Sequence, residues 1–340
     1  MNGKNTVVVL GAGASRGVSY ADDCVLPSPL DDDFFDLLQR LNPRSDDKKA
    51  VRAVLARVAT LPREYWRSFE RAFYTLQLKA YLSEKLGLDG TYESDNSVVT
   101  DFALCVHALL REAHGRKTKC LYHEAILAPL EGSDSVITFN YDLVVERAMR
   151  GIAESRSASF GPWLYGFKTS STPRRLPVLL KLHGSSNWRL KASGTKDSEK
   201  QFQIRTKEWK DFDKAPGYTR IAKTEIAAFP IFLPFWDKRI EQRPWVTLWR
   251  EALGKLSTAE NLIVWGYSMP PTDVKAYLLF TLGLSGRPLN LCIIDPRDET
   301  RERWRNLFRD SRYWEYKSAE RFLEHRPSWF GAAGLESIKQ

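Results

Sequence analysis

Cysteine is scarce and scattered. The 340-residue chain holds four, Cys24, Cys105, Cys120 and Cys292, with no CxxC pair and none between Cys120 and Cys292. That spacing argues against both a disulfide framework and a paired-cysteine zinc site, so no metal is expected. Long apolar runs are missing too. Nothing approaches the ~20 residues of a membrane-spanning helix, and the opening MNGKNTVVVLGAG lacks the organisation of a secretory signal. No membrane association is expected, and the cytoplasm is the expected compartment. There is no internal repeat and no nucleic-acid-binding signature such as paired zinc ligands.

What is present is an ordinary globular composition, 43% hydrophobic and 27% charged, on a chain long enough for one large domain or two modest ones. The net charge of +9 is unevenly placed. Residues 151–250 carry 19 Lys/Arg against 9 Asp/Glu, a surplus of 10, so the remainder nets −1. Such a stretch either steers an anionic partner to one face or is a solvated, loop-rich surface, and charge alone does not choose.

Five short apolar runs read as central strands: TVVVL (6–10), SVITF (135–139), PVLLKL (177–182), NLIVW (261–265) and NLCIID (290–295). Four are continuously aliphatic or β-branched, as in parallel strands covered on both faces, whereas Lys181 interrupts PVLLKL. Each run meets a turn and, in most cases, a helical pattern. The expected fold is therefore α/β, a doubly wound parallel sheet of Rossmann-like type over residues 1–35 and 131–300. Residues 36–130 carry helical periodicity throughout and read as a large all-helical module inserted into that domain. There Trp66, Phe69, Phe73, Leu76 and Ala80 recur at three- and four-residue steps and form one apolar face. Residues 155–176 and 191–229 read as long loops, 236–256 as helix, and 301–340 as a closing helical tail rich in aromatics.

Strand ends carry the chemistry. Gly11-Ala12-Gly13-Ala14-Ser15 follows the first strand and makes a tight turn into a helix, where unpaired N–H groups commonly face a phosphate. A dinucleotide dehydrogenase would show a third glycine where Arg16 stands, and a second strand ending in an acidic residue. An irregular loop, VSYADDCVLPSPLDDDFF, follows instead, so hydride transfer is disfavoured. The second strand exits through Asn140, Tyr141 and Asp142. Asn140 offers a neutral amide that can orient a water or a hydroxyl; Asp142 either contacts a ligand or caps the next helix. The third exits through His183 and Gly184, and an imidazole there can take a proton near neutrality or can simply pack at the loop edge. The fourth exits through Gly266 and Ser268, with Thr272 and Asp273 placed to cap the following helix, and the fifth ends in Asp295. In an open parallel sheet these ends share one crevice.

In this order the motifs resemble the sirtuin fold, and especially the sirtuin-like NAD hydrolases of bacterial anti-phage defence. The resemblance covers residues 1–35 and 131–300. It implies a sirtuin-type Rossmann-like domain with NAD as substrate, Gly11 to Ser15 over the pyrophosphate, and Thr138-Phe139-Asn140-Tyr141-Asp142 as the family's Thr-x-Asn-x-Asp segment, whose Asn, here Asn140, lies at the nicotinamide ribose. It makes His183-Gly184 the catalytic pair, with Asn140 and His183 as catalytic residues, and puts Gly266 and Ser268 on the adenosine side. Asp142 and Asp295 complete the expected cofactor contacts. Three departures separate the chain from protein-deacylating sirtuins. No zinc-ribbon cysteines follow His183-Gly184, Phe139 stands where those enzymes have Gln, and LPSPLDDDFF replaces their Asp-Phe-Arg loop. Cleavage of NAD by water to ADP-ribose and nicotinamide fits better, in a defence effector that depletes NAD. The resemblance also implies a homo-oligomer, or a complex with a separate ATPase or nucleic-acid-sensing protein. A protein deacylase and a non-enzymatic nucleotide- or nucleic-acid-binding module remain as alternatives.

Overall fold

The structure, a computed structural model, describes residues 5–45, 47–87, 95–115, 119–166, 175–191, 201–204 and 245–331. The described strands are β1 (Thr6–Leu10), β2 (Ser135–Thr138), β3 (Val178–Lys181), β4 (Trp188–Lys191), β5 (Gln201–Ile204), β6 (Asn261–Trp265), β7 (Asn290–Ile294) and β8 (Arg312–Tyr316). The described α-helices begin with α1 (Ala12–Arg16), α2 (Phe34–Arg40), α3 (Lys48–Val58), α4 (Phe69–Lys85), α5 (Asp95–His114) and α6 (Leu121–Leu127). They continue with α7 (Val144–Ser155), α8 (Trp245–Thr258), α9 (Val274–Leu284), α10 (Asp298–Leu307) and α11 (Ala319–Glu324). Two compact units emerge: Met1–Asp22 with Lys117–Gly184 and Arg239–Gln340, and Asp23–Arg116 with Ser185–Lys238.

The first unit is built on a six-stranded parallel sheet in the order β3-β2-β1-β6-β7-β8. Strands β1, β2, β3 and β6 are buried at every position, which is why their sequences run largely apolar without alternation, Lys181 at the end of β3 being the charged exception. Registers are continuous across the centre: Leu10 pairs with Thr138 on one side and Trp265 on the other, and Thr138 pairs in turn with Lys181. The order reverses direction between β1 and β6. In sheets wound this way, the crevice beyond the carboxyl ends at the reversal is where ligands bind.

The closing segment corrects one expectation in part. Residues 301–331 hold helix on either side, in α10 and α11, but between them RYWEY forms β8, the sixth strand, paired in parallel with β7 from Asn290↔Arg312 to Ile294↔Tyr316. Aromatic residues suit a half-covered edge strand. Trp314 meets Trp329 at 5.8 Å and Tyr316 meets Phe322 at 5.4 Å, so these rings are used inside the unit. Helix α6, which belongs to the expected insertion by sequence, packs against α7 in this same unit.

The second unit is mainly helical. Phe34, Phe69, Phe73 and Phe102 interlock, with ring centroids 4.2 Å apart for Phe34–Phe69 and 5.1 Å for Phe73–Phe102. Arg57 binds Asp101 at 2.8 Å and ties α3 to α5, while Arg111 binds Asp47. The apolar face of α4 starts at Phe69; Trp66 lies in a separate 3₁₀ turn, Arg63–Arg67. Ser68 makes that break, because its Oγ accepts from the Arg71 N–H and caps the helix. A short antiparallel ladder, β4 with β5, belongs here as well. Of the loop expected at 155–176, residues 155–166 and 175–176 are described and include the 3₁₀ turn Pro162–Tyr165, whereas the loop expected at 191–229 and the start of the helix expected over 236–256 fall largely outside the described residues.

Candidate functional site

The carboxyl ends of β3, β2, β1 and β6 stand side by side, so the exits singled out in the sequence converge within the first unit. Glycine at 11, 13 and 266 is dictated by backbone meeting backbone. Gly266 has φ +63°, and a Cβ there would lie 2.2 Å from the Ala14 nitrogen and 2.3 Å from the Gly13 carbonyl carbon. A Cβ on Gly11 would lie 2.4 Å from the Gly266 oxygen. The expected unpaired amides are mostly engaged. Gly11 N–H donates to the Trp265 carbonyl at 3.0 Å, Gly13 N–H to the Gly266 carbonyl at 2.9 Å, and Ala14 N–H to the Gly11 carbonyl at 2.9 Å. The turn is thus bolted to the β6 exit, and its exposed edge is Ala12.

Asn140 is fixed from the same turn. Its Nδ2 donates to the Gly11 carbonyl at 2.8 Å and to Ser15 Oγ at 2.9 Å. Ser15 Oγ donates onward to Asp142 Oδ2 at 2.6 Å. A carbonyl can only accept, so the amide nitrogen must face Gly11. With both amide hydrogens placed inside the protein, Oδ1 is the atom Asn140 can offer a ligand. Asp142 also opens α7, since its Oδ1 accepts from the Val144 N–H at 2.9 Å. Its two oxygens serve the turn and the start of α7.

His183 leaves β3 two residues past Lys181, as Asn140 leaves β2 two residues past Thr138, the register partner of Lys181. The histidine Nε2 lies 3.0 Å from Asp273 Oδ2, with both side chains buried. The Phe139 ring meets the imidazole edge-on at 4.9 Å and stacks on Tyr267 at 4.2 Å with 11° between planes. Phe139 therefore forms an apolar wall between the β2 and β6 exits. Gly184 follows with φ +94°, a conformation that suits glycine.

Lys181, the residue that interrupts its apolar run, is 1% exposed. Its Nζ lies 2.9 Å from Glu146 Oε1 and also donates to the Asp142 carbonyl, while Tyr165 donates to the same Glu146 oxygen at 2.9 Å. This buried pair joins β3 to the start of α7, a role the sequence reading left unassigned. The role of Asp273 toward His183 was equally unassigned; a capping residue at a strand exit, facing a histidine at another, was the available signal.

On the far side, Ser268 and Met269 present their carbonyls to Arg303 Nη1 at 2.7 and 3.2 Å, and Trp304 Nε1 donates to the Tyr267 carbonyl at 2.9 Å. Asp295 is 2% exposed and accepts from the Arg297 N–H at 2.9 Å. Behind the glycine turn, Cys120 Sγ lies 3.1 Å from His123 Nδ1 and accepts from the Ser19 N–H at 3.4 Å. Burial pushes this thiol up, but His123 and the Ser19 N–H outweigh it and bring Cys120 down to about 7. Among the described residues, no group of three or more His, Cys, Asp or Glu is arranged to hold a metal ion. No described helix is long and apolar enough to cross a membrane.

The sheet order and strand-end site define an open α/β protein with its crevice at the β1/β6 reversal. The SIR2-like domain family matches residues 134–320, more than half of the chain, and the protein belongs to that family. Solved structures similar to it include a Sir2 homologue–NAD complex, at 15% identity over 94% of this chain and 87% of that one, with a TM-score of 0.40. A Sir2 complex with the inhibitor EX-527, 2'-O-acetyl-ADP-ribose and a deacetylated p53 peptide is similar at 15% identity over 94% and 93%, with a TM-score of 0.40. No curated protein matches the chain.

Proposed function

We propose that this SIR2-like protein is an NAD hydrolase that cleaves the nicotinamide–ribose bond and releases ADP-ribose and nicotinamide. The observation that carries this reading is the pairing of Asn140 and His183 on adjacent strand exits, each two residues beyond the register pair Thr138↔Lys181 and next to the glycine turn. Nicotinamide is a cationic leaving group. When the C1′–N bond breaks, both electrons go to the ring nitrogen, nicotinamide leaves neutral, and positive charge develops on the ribose. Asn140 Oδ1 accepts a hydrogen from water or a ribose hydroxyl and holds it in line. His183 takes the proton as the water oxygen bonds to C1′, then passes it to solvent. The exposed Ala12 edge and the turn at Gly11, Gly13, Ala14 and Ser15 would lie along the pyrophosphate, with Gly266, Ser268 and the end of β7 at Asp295 toward the adenosine.

The absence of cysteine between Cys120 and Cys292 favours water over acyl-lysine as the acceptor, since the family's deacylases place a cysteine-bound zinc ribbon there. The decisive experiment incubates the full chain with NAD alone and follows nicotinamide and ADP-ribose by chromatography. Turnover without added peptide is expected. Asn140→Ala and His183→Ala, shown to be folded, should each lose on the order of 100-fold or more. Turnover only with an acyl-lysine peptide would make the protein a deacylase. No turnover together with steeply salt-sensitive nucleic-acid binding would make it a binding module.

Unrestrained NAD loss is lethal to the host cell, so we assign the protein to defence by NAD depletion, in a cytoplasmic homo-oligomer controlled by a separate ATPase or nucleic-acid sensor. Self-association has support on α9. Val274, Tyr277, Leu278 and Leu282 are exposed at helical spacing, Leu282 by 67%, and form an apolar stripe of the kind that usually meets a partner. A mass measurement should show an oligomer that the double variant Leu278→Glu/Leu282→Glu reduces to monomer; an unchanged mass would remove this face from the reading.

A further inference from the structure

We propose that Asp273 is a positioning residue that fixes which nitrogen of His183 acts as the base; the proposal rests on the NAD-cleavage reading and specifies its proton-accepting atom. A carboxylate only accepts hydrogen bonds. At 3.0 Å from Asp273 Oδ2, His183 Nε2 must therefore carry a hydrogen, and in the neutral ring the lone pair is on Nδ1. The base that receives the water proton is then Nδ1, the nitrogen next to the ring's attachment point. Nε2 stays bonded to Asp273 throughout, and the carboxylate stabilises the imidazolium formed once Nδ1 is protonated. No proton passes to Asp273, so the balance of the reaction is unchanged.

Asp273 can do this because it is itself held. Its Oδ1 accepts from the Ala276 N–H at 3.3 Å as the N-cap of α9, and its own N–H donates to the Pro270 carbonyl at 3.0 Å. The stretch before it is set by Met269 at φ +50° and by Arg303 on the Ser268 and Met269 carbonyls. One oxygen thus anchors the side chain to an eleven-residue helix while the other faces the imidazole. The Phe139 ring against the imidazole limits its rotation further, leaving the carboxylate to decide the tautomer.

Two variants separate holding from capping. Asp273→Ser keeps a good N-cap but is too short to span the distance to Nε2. Asp273→Asn keeps the shape and can present an N–H to Nε2, favouring the other tautomer. Asp273→Asn should retain the melting temperature of the parent, while Asp273→Ser, which removes the carboxylate facing the buried Nε2, should lower it modestly with the chain still folded. Both should lower kcat by about 100-fold or more, with KM changed less than threefold, in line with the effects of residues that orient catalytic imidazoles. The ¹⁵N shifts of His183 should report an unprotonated Nδ1 and a protonated Nε2 in the parent, and a mixture or reversal in the variants. Variants that keep parental kcat, or a parent spectrum with the lone pair on Nε2, would overturn the proposal. A parent that releases no nicotinamide overturns the NAD-cleavage reading instead, and the ¹⁵N spectra then decide the Asp273–His183 assignment alone.

Discussion

Gly266→Ala separates two reasons for glycine at one strand exit, and Gly286→Ala provides its control. Both residues have positive φ, +63° and +69°. An alanine at either pays the left-handed backbone penalty of roughly 1–2 kcal/mol and regains up to about 1 kcal/mol because the unfolded chain is restricted. The surroundings differ. A Cβ at 286 meets nothing within 4 Å, whereas at 266 it would lie 2.2 Å from the Ala14 nitrogen and 2.6 Å from the Gly13 Cα. Those atoms are backbone on a turn bonded to β6, so relief requires the glycine turn to move off the sheet. Overpacking of this kind adds about 1–3 kcal/mol. Gly286→Ala should therefore cost on the order of 1 kcal/mol and Gly266→Ala on the order of 3 kcal/mol. Hydrogen-exchange protection of the β1 and β6 amides, read by mass spectrometry, measures the loss locally and avoids assuming that the two units unfold together. Equal losses in the two variants would refute the claim that backbone contact, rather than φ alone, sets this turn. Nicotinamide release should fall with Gly266→Ala and not with Gly286→Ala.

The buried pair gives a second test: Lys181→Met strands the Glu146 carboxylate and should cost about 3–5 kcal/mol in urea unfolding, while Lys181→Met/Glu146→Leu should recover most of it. A single-variant loss below about 1 kcal/mol would deny the pair its structural role. For Cys120, the folded value of about 7 lies below the usual 9.0, so its contribution is complete above 9 and is lost as pH falls through 7. Relative to Cys120→Ala, the parent should thus lose on the order of 2 kcal/mol between pH 9 and pH 6; a flat difference would show that His123 does not hold a thiolate.

Five central strands were legible because burial on both faces leaves an apolar run that few other contexts produce, unbroken in four of them and interrupted only by Lys181 in the fifth. The sixth was not. Its RYWEY mixes charge with aromatics, the pattern of an edge strand covered on one side, and the charged surroundings read as helix. Trp66 shared the spacing of the α4 face but lies outside it, because a serine cap two residues later restarts the helix. The positions of Asn140 and His183 at strand ends could be read from the chain. Their partners could not, since Gly11 and Asp273 lie about 129 and 90 residues away, and only the sheet order brings them near.

These partners also change what the glycine motif means. Read alone, Gly11-Ala12-Gly13 points to amides aimed at a phosphate. In the folded chain, the N–H groups of Gly11, Gly13 and Ala14 are bonded to backbone, and the glycines allow the turn to press against Gly266. The Gly11 carbonyl, in turn, orients Asn140. The motif's first consequence is thus to set the direction of a side chain on the neighbouring strand, as Asp273 does for His183 from another exit. Both side chains are aimed by atoms belonging to other strands or helices, so small shifts between elements would misplace them together. Substitutions that loosen the β1–β6 contact should therefore impair cleavage through Asn140, even where every catalytic side chain is retained.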